Sequence, residues 1–174
     1  MSSAAHKRLL KEVHQTADPA SLPDSIVSLH PRSESDLHNW VAVIHPSASS
    51  GSLYAAGYFR LLICVPPAYP LEPPQIRFDV DNPAGAGAGA KDPICRQIPH
   101  CNVDFKTGEI CLDILKPDCW SPAWTLQTAV LAIVVLLDNQ EPDSPLNVDM
   151  ANLFRLDDQT AIRSVINYYV HRPV

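Results

Sequence analysis

Residues 51–78 read GSLYAAGYFRLLICVPPAYPLEPPQIRF. Two short apolar runs of strand length, GYFRLLICV and QIRFDV, flank a proline cluster, PPAYPLEPP, at 66–74. Proline fixes φ and carries no N–H, so helix interiors and central strands exclude it. The cluster therefore marks a connection, and the stretch reads strand, turn, strand. Working outward toward the N-terminus, NWVAVIH (39–45) and SIVSLH (25–30) are further runs of the same kind, with the turn-rich PSASSGS between 46 and 52. Four short strands separated by turns predict an antiparallel meander.

The ends of the chain follow another period. Residues 3–16 place Leu9, Leu10 and Val13 on one side, with His6, Lys7, Arg8, Lys11 and Glu12 on the other. This predicts an amphipathic helix stopped by ADPASLPD. Downstream, SPAWTLQTAVLAIVVLLDNQ reads as a helix opened by Ser121-Pro122 and apolar nearly all round, which belongs in the middle of the molecule. The proline-rich break EPDSPLNVD leads to a short helix, MANLFRL. A last helix follows an Asp cap, with Ile162, Val165, Ile166 and Tyr169 on one face. Strands and helices are segregated along the chain, the pattern of an α+β domain with helices on one face of an antiparallel sheet. Residues 1–174 are read as a single domain, with a long Gly/Ala-rich loop at about 81–99 that has no periodic apolar face.

Composition narrows the function classes. The chain is 46% hydrophobic and 18% charged, enough apolar material for a real core. At 174 residues, folding buries about two thirds of the unfolded surface. A net charge of -6 argues against nucleic-acid binding, which calls for a basic face. The N-terminal SSAAHKRLLKEVHQ lacks the apolar region of a secretory signal. The longest apolar run, Ala129 to Leu137, is nine residues, too short to span a bilayer. An odd count of five cysteines then favours free thiols in a reducing compartment over a disulfide framework.

Three of those cysteines fall in HCNVDFKTGEICLDILKPDCWSPAW, residues 100–124. Cys95, Cys101, Cys111 and Cys119 are separated by five, nine and seven residues, with no C-x2-C or H-x3-H pair, so the spacing does not suit structural zinc. Cys64, inside an apolar strand, reads as a core filler. Cys95 and Cys119 have no nameable chemical partner. Cys111 stands apart, because His100 and Asn102 lie upstream on the same irregular segment. Cysteine proteases use such a set, with histidine activating the thiol. Here Asp104, Glu109 and Asp113 outnumber Lys106 nearby, and acidic neighbours disfavour a thiolate. The setting suits a thiol that accepts an already activated acyl group.

On these residues the chain resembles the ubiquitin-conjugating (E2) enzymes over nearly its whole length. Tyr69, Pro70, Pro73 and Pro74 match the family's YPxxPP signature. His100-Cys101-Asn102 stands at its His-Pro-Asn position, GEICLDIL at its active-cysteine block, and Trp120-Ser121-Pro122-Ala123 at its WSPA element. Pro145-Leu146-Asn147 falls in its flap. The departures (cysteine for proline at 101, a longer preceding loop, an extra residue in KPDCW) are similar to the peroxisomal branch of the family.

The resemblance implies the E2 fold and a thioester of ubiquitin on Cys111, formed from an activating enzyme. It implies transfer with a RING ligase to a cysteine or lysine acceptor, with a peroxisomal import receptor as the substrate. Asn102 becomes the candidate oxyanion donor and loop holder, His100 a structural residue, and Ser144 and Asp143 the candidates for orienting the acceptor. Lys7, Arg8 and Lys11 match the activating-enzyme contact. Leu71, Ser121, Pro122 and Ala123 match the two loops that meet a RING ligase. No cofactor is implied, since ATP is used by the activating enzyme. A membrane-anchored peroxin would hold such a chain at the cytosolic face of the peroxisome. A conjugating enzyme for another ubiquitin-like modifier and a cysteine hydrolase using Cys111 with His100 are the alternative readings.

Overall fold

A computed structural model describes residues 4–81 and 94–170. In chain order the elements are α1 (Ala4–Thr16), β1 (Ile26–Ser33), β2 (Asp36–Ile44), β3 (Tyr58–Cys64), β4 (Gln75–Phe78), β5 (Ile94–Cys95), α2 (Leu126–Asp138), α3 (Val148–Arg155) and α4 (Gln159–Val170). The four longer strands form the expected meander, each antiparallel to the next in the order β1-β2-β3-β4. Two rows of paired residues cross it, Trp40–Ile63–Ile76 and Ala42–Leu61–Phe78. All six are buried, so a slip of one residue would turn both rows toward solvent. The six residues join Ile133, Ile162 and Ile166 of the later helices in a single apolar cluster.

The structure departs from the sequence expectations in particular places. Helix α2 starts at Leu126, not at Ser121-Pro122. The Thr125 hydroxyl caps it by accepting from Thr128 N–H, and Ser121–Trp124 forms a turn before it. Its buried side is Leu126, Ala129, Val130, Ile133, Leu136 and Leu137, while Val135 is 60% exposed, so it is not enclosed all round. Cys64 is exposed rather than a core filler: β3 turns Phe59, Leu61 and Ile63 inward, which puts Cys64 on the outer face. The Gly/Ala tract lies outside the described residues. The end of that predicted loop is not loop-like. Ile94 and Cys95 pair in parallel with Tyr58 and Phe59, and Cys95 and Ile98 enter the core. The Cys95 thiol donates to Val170 O at the end of α4.

Helix α1 holds the largest surprise. Its buried stripe is Ala5, Leu9, Glu12 and Thr16, while Leu10 is 41% exposed. Glu12, expected on the solvent face, is 2% exposed. Its Oε1 accepts from Arg8 Nε and from the Tyr69 hydroxyl, each at 2.6 Å, and its Oε2 accepts from Leu126 N–H at 2.8 Å. A buried carboxylate is tolerable only when donors replace its water, and three do so here.

Candidate active site

A tight hairpin delivers Cys111. Val103 and Ile110 pair across it, Asp104 N–H donates to Glu109 O, and Cys111 N–H donates to Asn102 O at 2.9 Å. The turn is closed by Asp104, whose Oδ1 accepts from Lys106 and Thr107 N–H. Those bonds favour the ionised form and hold the Asp104 pKa below its ordinary value. Gly108 sits at φ +73, and a Cβ there would come within 2.2 Å of Phe78 O. Only glycine combines that backbone with that approach. In return Gly108 O accepts from Phe78 N–H, which fastens the hairpin to β4. Beyond Cys111 the chain makes a short 3-10 turn at Asp113–Leu115, and Lys116 Nζ pairs with Asp113 at 2.6 Å. Cys111 itself is half-buried.

Residues 100–102 form a spine on which the flap 140–147 is wound. His100 is fully buried. Its Nδ1 lies 3.0 Å from Asn102 N–H and its Nε2 lies 2.9 Å from Leu136 O. The first contact needs an acceptor and the second a donor, so the ring is the neutral tautomer protonated on Nε2. Burial pushes its pKa down to about 4. Both nitrogens are occupied, which leaves neither for taking a proton from a thiol. Cys101 N–H donates to Gln140 Oε1, and Cys101 O accepts from Leu146 and Asn147 N–H. Asn102 takes the middle of the flap: Oδ1 accepts from Glu141 N–H, and Nδ2 donates to Glu141 O at 2.9 Å and Ser144 O at 3.4 Å. From α3, Arg155 donates to Pro142 O.

The structure thus brings Cys111, Asn102 and the Asp143–Ser144 flap onto one scaffold, with Asn102 as the shared member. Asp143 and Ser144 are exposed on it. Elsewhere Lys7 and Lys11 are exposed on α1, but Arg8 points inward. Besides Glu12 it donates to Trp124 O at 2.7 Å and Pro122 O at 3.3 Å, and its guanidinium lies 5.8 Å from the Tyr69 ring centre. Leu71 is 76% exposed, Pro122 and Ala123 are exposed, and Ser121 is half-buried. The Trp120 indole N–H donates to Pro70 O and so ties the two loops together. Glu12, Gln140 and Tyr54 escaped the sequence reading. Only Glu12 carried a signal, the spacing of Ala5, Leu9, Glu12 and Thr16 along one helical stripe. Among the described residues no group of three or more His, Cys, Asp or Glu side chains is placed to hold a metal ion. No described helix is long and apolar enough to cross a membrane.

This arrangement has relatives. A family profile described as "Ubiquitin-conjugating enzyme" matches residues 8–169. The "Ubiquitin-conjugating enzyme E2-21 kDa" of Pichia angusta is 46% identical, covering 97% of this chain and 94% of its own length. The "E2 ubiquitin-conjugating enzyme PEX4" of Komagataella phaffii is 37% identical, covering 96% of this chain and 90% of its own. Among solved structures, the H. polymorpha ubiquitin conjugating enzyme Pex4p, crystallised in complex with the soluble domain of Pex22p, superposes with a TM-score of 0.84. It is 42% identical and covers 97% of both chains. The chain belongs to the ubiquitin-conjugating enzymes and is an E2 transferase.

Proposed function

We propose that Cys111 accepts the C-terminal carboxyl of ubiquitin as a thioester and passes it, with a RING ligase, to an acceptor on a peroxisomal import receptor. In charging, the Cys111 thiolate attacks the thioester carbonyl presented by the activating enzyme, and that enzyme's thiolate leaves. In discharge, an acceptor thiolate or neutral amine attacks the new thioester and the Cys111 thiolate leaves. With an amine acceptor the extra proton passes to solvent or a flap side chain. Two easier acyl transfers replace one hard condensation. The carrying observation is that Asn102 binds Cys111 through its main chain and the flap through its side chain, so donor and acceptor sites share one rigid element.

Asn102 is then first a positioning residue. Its 3.4 Å bond to Ser144 O is the weaker of the two that Nδ2 donates, and releasing it frees one N–H for an oxyanion. His100 is structural, and its occupied nitrogens count against the hydrolase reading. Ser144 and Asp143 orient the acceptor. Lys7 and Lys11 meet the activating enzyme, while Leu71, Pro122 and Ala123 meet the ligase, with Arg8 setting the second loop from beneath. No cofactor enters the chemistry of this chain, because ATP is spent by the activating enzyme.

The peroxisomal setting rests on relatives named PEX4 and on a neighbour solved with Pex22p. A protein of that kind would hold this chain at the cytosolic face of the membrane. The test is incubation with activating enzyme, ATP and a panel of modifiers. A ubiquitin adduct that is reducible by thiols and absent in Cys111→Ala is expected. A reducible adduct surviving in Cys111→Ala, or charging only by another modifier, refutes the assignment.

A further inference from the structure

We infer that Gln140, held by Tyr54, is a positioning residue for the acceptor flap, and that it acts through the peptide N–H of Cys101. The inference rests on the reading of Cys111 as the charged nucleophile and of the flap as its acceptor side.

The contacts form one chain. Tyr54 is 1% exposed, and its hydroxyl donates to Pro99 O at 2.8 Å and accepts from Gln140 Nε2 at 2.8 Å. Gln140 Oε1 then accepts from Cys101 N–H at 2.7 Å. An amide has one acceptor end and one donor end, and each is matched here with the partner it needs. The carbonyl of the same residue completes the grip. Cys101 O takes Leu146 and Asn147 N–H, at 2.8 and 2.9 Å, at the other end of the flap. One residue therefore pins the flap's first and last positions, and Asn102 pins its middle.

The N–H is the decisive group, and the thiol is not. A proline at 101, as in the His-Pro-Asn pattern that this segment resembles, would have no N–H and would present a ring carbon to Gln140 Oε1. The glutamine oxygen would then be left without a donor and pressed against an apolar group. Position 101 and position 140 are thus matched to each other: an amide N–H opposite an acceptor, or proline opposite an apolar side chain. The Cys101 thiol is buried, and burial pushes its pKa up to about 11, so it stays protonated and takes no part.

The experiment is a double-substitution cycle on the full chain. Charge wild type, Gln140→Leu, Cys101→Pro, Cys101→Pro/Gln140→Leu and Cys101→Ala with ubiquitin. Then follow single-turnover discharge of the isolated thioesters to free cysteine and free lysine, with melting temperature as the check on folding. Charging should be alike in all five. Discharge should fall about tenfold in Gln140→Leu and in Cys101→Pro, as displacement of a reacting frame by a fraction of an ångström requires. It should recover to within about threefold of wild type in the double variant, where neither partner of the bond remains. Cys101→Ala keeps the N–H and should discharge like wild type. A wild-type rate in Gln140→Leu overturns the inference. So does a double variant as slow as the product of the two single effects, because a general loss of structure accumulates whereas a mismatched pair is cured. A slow Cys101→Ala beside a normal Gln140→Leu moves the role to the thiol and overturns it as well. Should Cys101→Pro alone fail to fold, Gln140→Leu against Cys101→Ala decides. Failure of the wild type to charge at all would instead refute the reading of Cys111.

Discussion

Replacing Glu12 by glutamine removes a charge and one acceptor while keeping the volume. The carboxylate serves three donors, Arg8 Nε and the Tyr69 hydroxyl on Oε1 and Leu126 N–H on Oε2. A glutamine placed with its oxygen toward Tyr69 turns an NH2 group on Leu126 N–H, and the first turn of α2 loses an acceptor. Placed the other way, the NH2 group faces Arg8. Either choice orphans at least one donor beside a residue that is only 2% exposed, at about 1–3 kcal/mol each. The strength of the charge-assisted bonds is lost in addition. A total of about 3 kcal/mol corresponds to a melting temperature lower by roughly 6–12 °C for a chain of this size. The assay is thermal unfolding by circular dichroism, with Lys7→Gln on the exposed side of α1 as the control. Surface substitutions of that kind stay within about 0.5 kcal/mol. Because Arg8 also holds Pro122 O and Trp124 O, Glu12→Gln should lower ligase-stimulated discharge more than unstimulated discharge. A Glu12→Gln protein that melts within about 2 °C of wild type would refute the claim that this carboxylate organises the helix and the loops.

Three further outcomes follow from single groups. His100 is neutral and buried with its pKa lowered from 6.5 to about 4, so the unfolded chain binds the proton first as pH falls. Stability is whole above about pH 6.5 and declines toward pH 4, with about 2 kcal/mol lost by pH 5. Urea midpoints of wild type should show this slope on top of the carboxylate titrations, and His100→Gln, though weaker at pH 7, should lack it. Gly108→Ala must push a Cβ into Phe78 O at a positive φ, so it should cost more than about 2 kcal/mol and slow charging by displacing the hairpin that carries Cys111; a wild-type melting curve would contradict the hairpin's tie to β4. Ser144→Asp places a carboxylate on the exposed flap, whose backbone Asn102 still holds, and discharge to free lysine should rise while discharge to free cysteine stays level. Unchanged lysine discharge in that variant would remove Ser144 from acceptor orientation.

The sheet was legible because proline excludes regular structure and because four apolar runs of strand length alternate with turns. What alternation implied for Cys64 was legible too: with Phe59, Leu61 and Ile63 inward, residue 64 must face out. An apolar neighbourhood in sequence obscured it. Strand β5 was hidden for a physical reason, since two residues carry no period and exist as a strand only through pairing with β3. In α1, charge misled. Arg8 and Glu12 look like solvent-facing residues, yet the Ala5–Leu9–Glu12–Thr16 stripe is the buried one, because each charge finds its partners inside. Cys111 stood apart in the sequence through its place on one irregular segment with His100 and Asn102, and the family resemblance supplied the roles proposed for Cys111 and Asn102. How Asn102 uses its amide depends on flap carbonyls some forty residues away, and no local pattern records them. Gln140 gave no signal at all, as a polar residue just past a helix end is ordinary.

The two buried polar clusters share an object, which is α2. Its first turn leaves N–H groups without helical partners and its last turn leaves carbonyls. At the N-terminal end Glu12 accepts from Leu126 N–H and the Thr125 hydroxyl accepts from Thr128 N–H. At the C-terminal end His100 and Asn139 N–H both donate to Leu136 O, and the Asn139 side chain donates to Val135 O. The signs follow the helix dipole: an anion stands at the positive end, and neutral donors meet the negative end. A histidine that kept its charge there would suit the dipole better, but burial costs more than the dipole returns, and the ring stays neutral. The 13 residues of α2 span about 20 Å. One end carries the Ser121–Trp124 turn, which Arg8 holds, and the other continues directly into Gln140 and the acceptor flap. Two of the buried polar side chains, Glu12 and His100, thus stand at the two ends of one rod, from which the Ser121–Trp124 turn and the 140–147 flap each take their position.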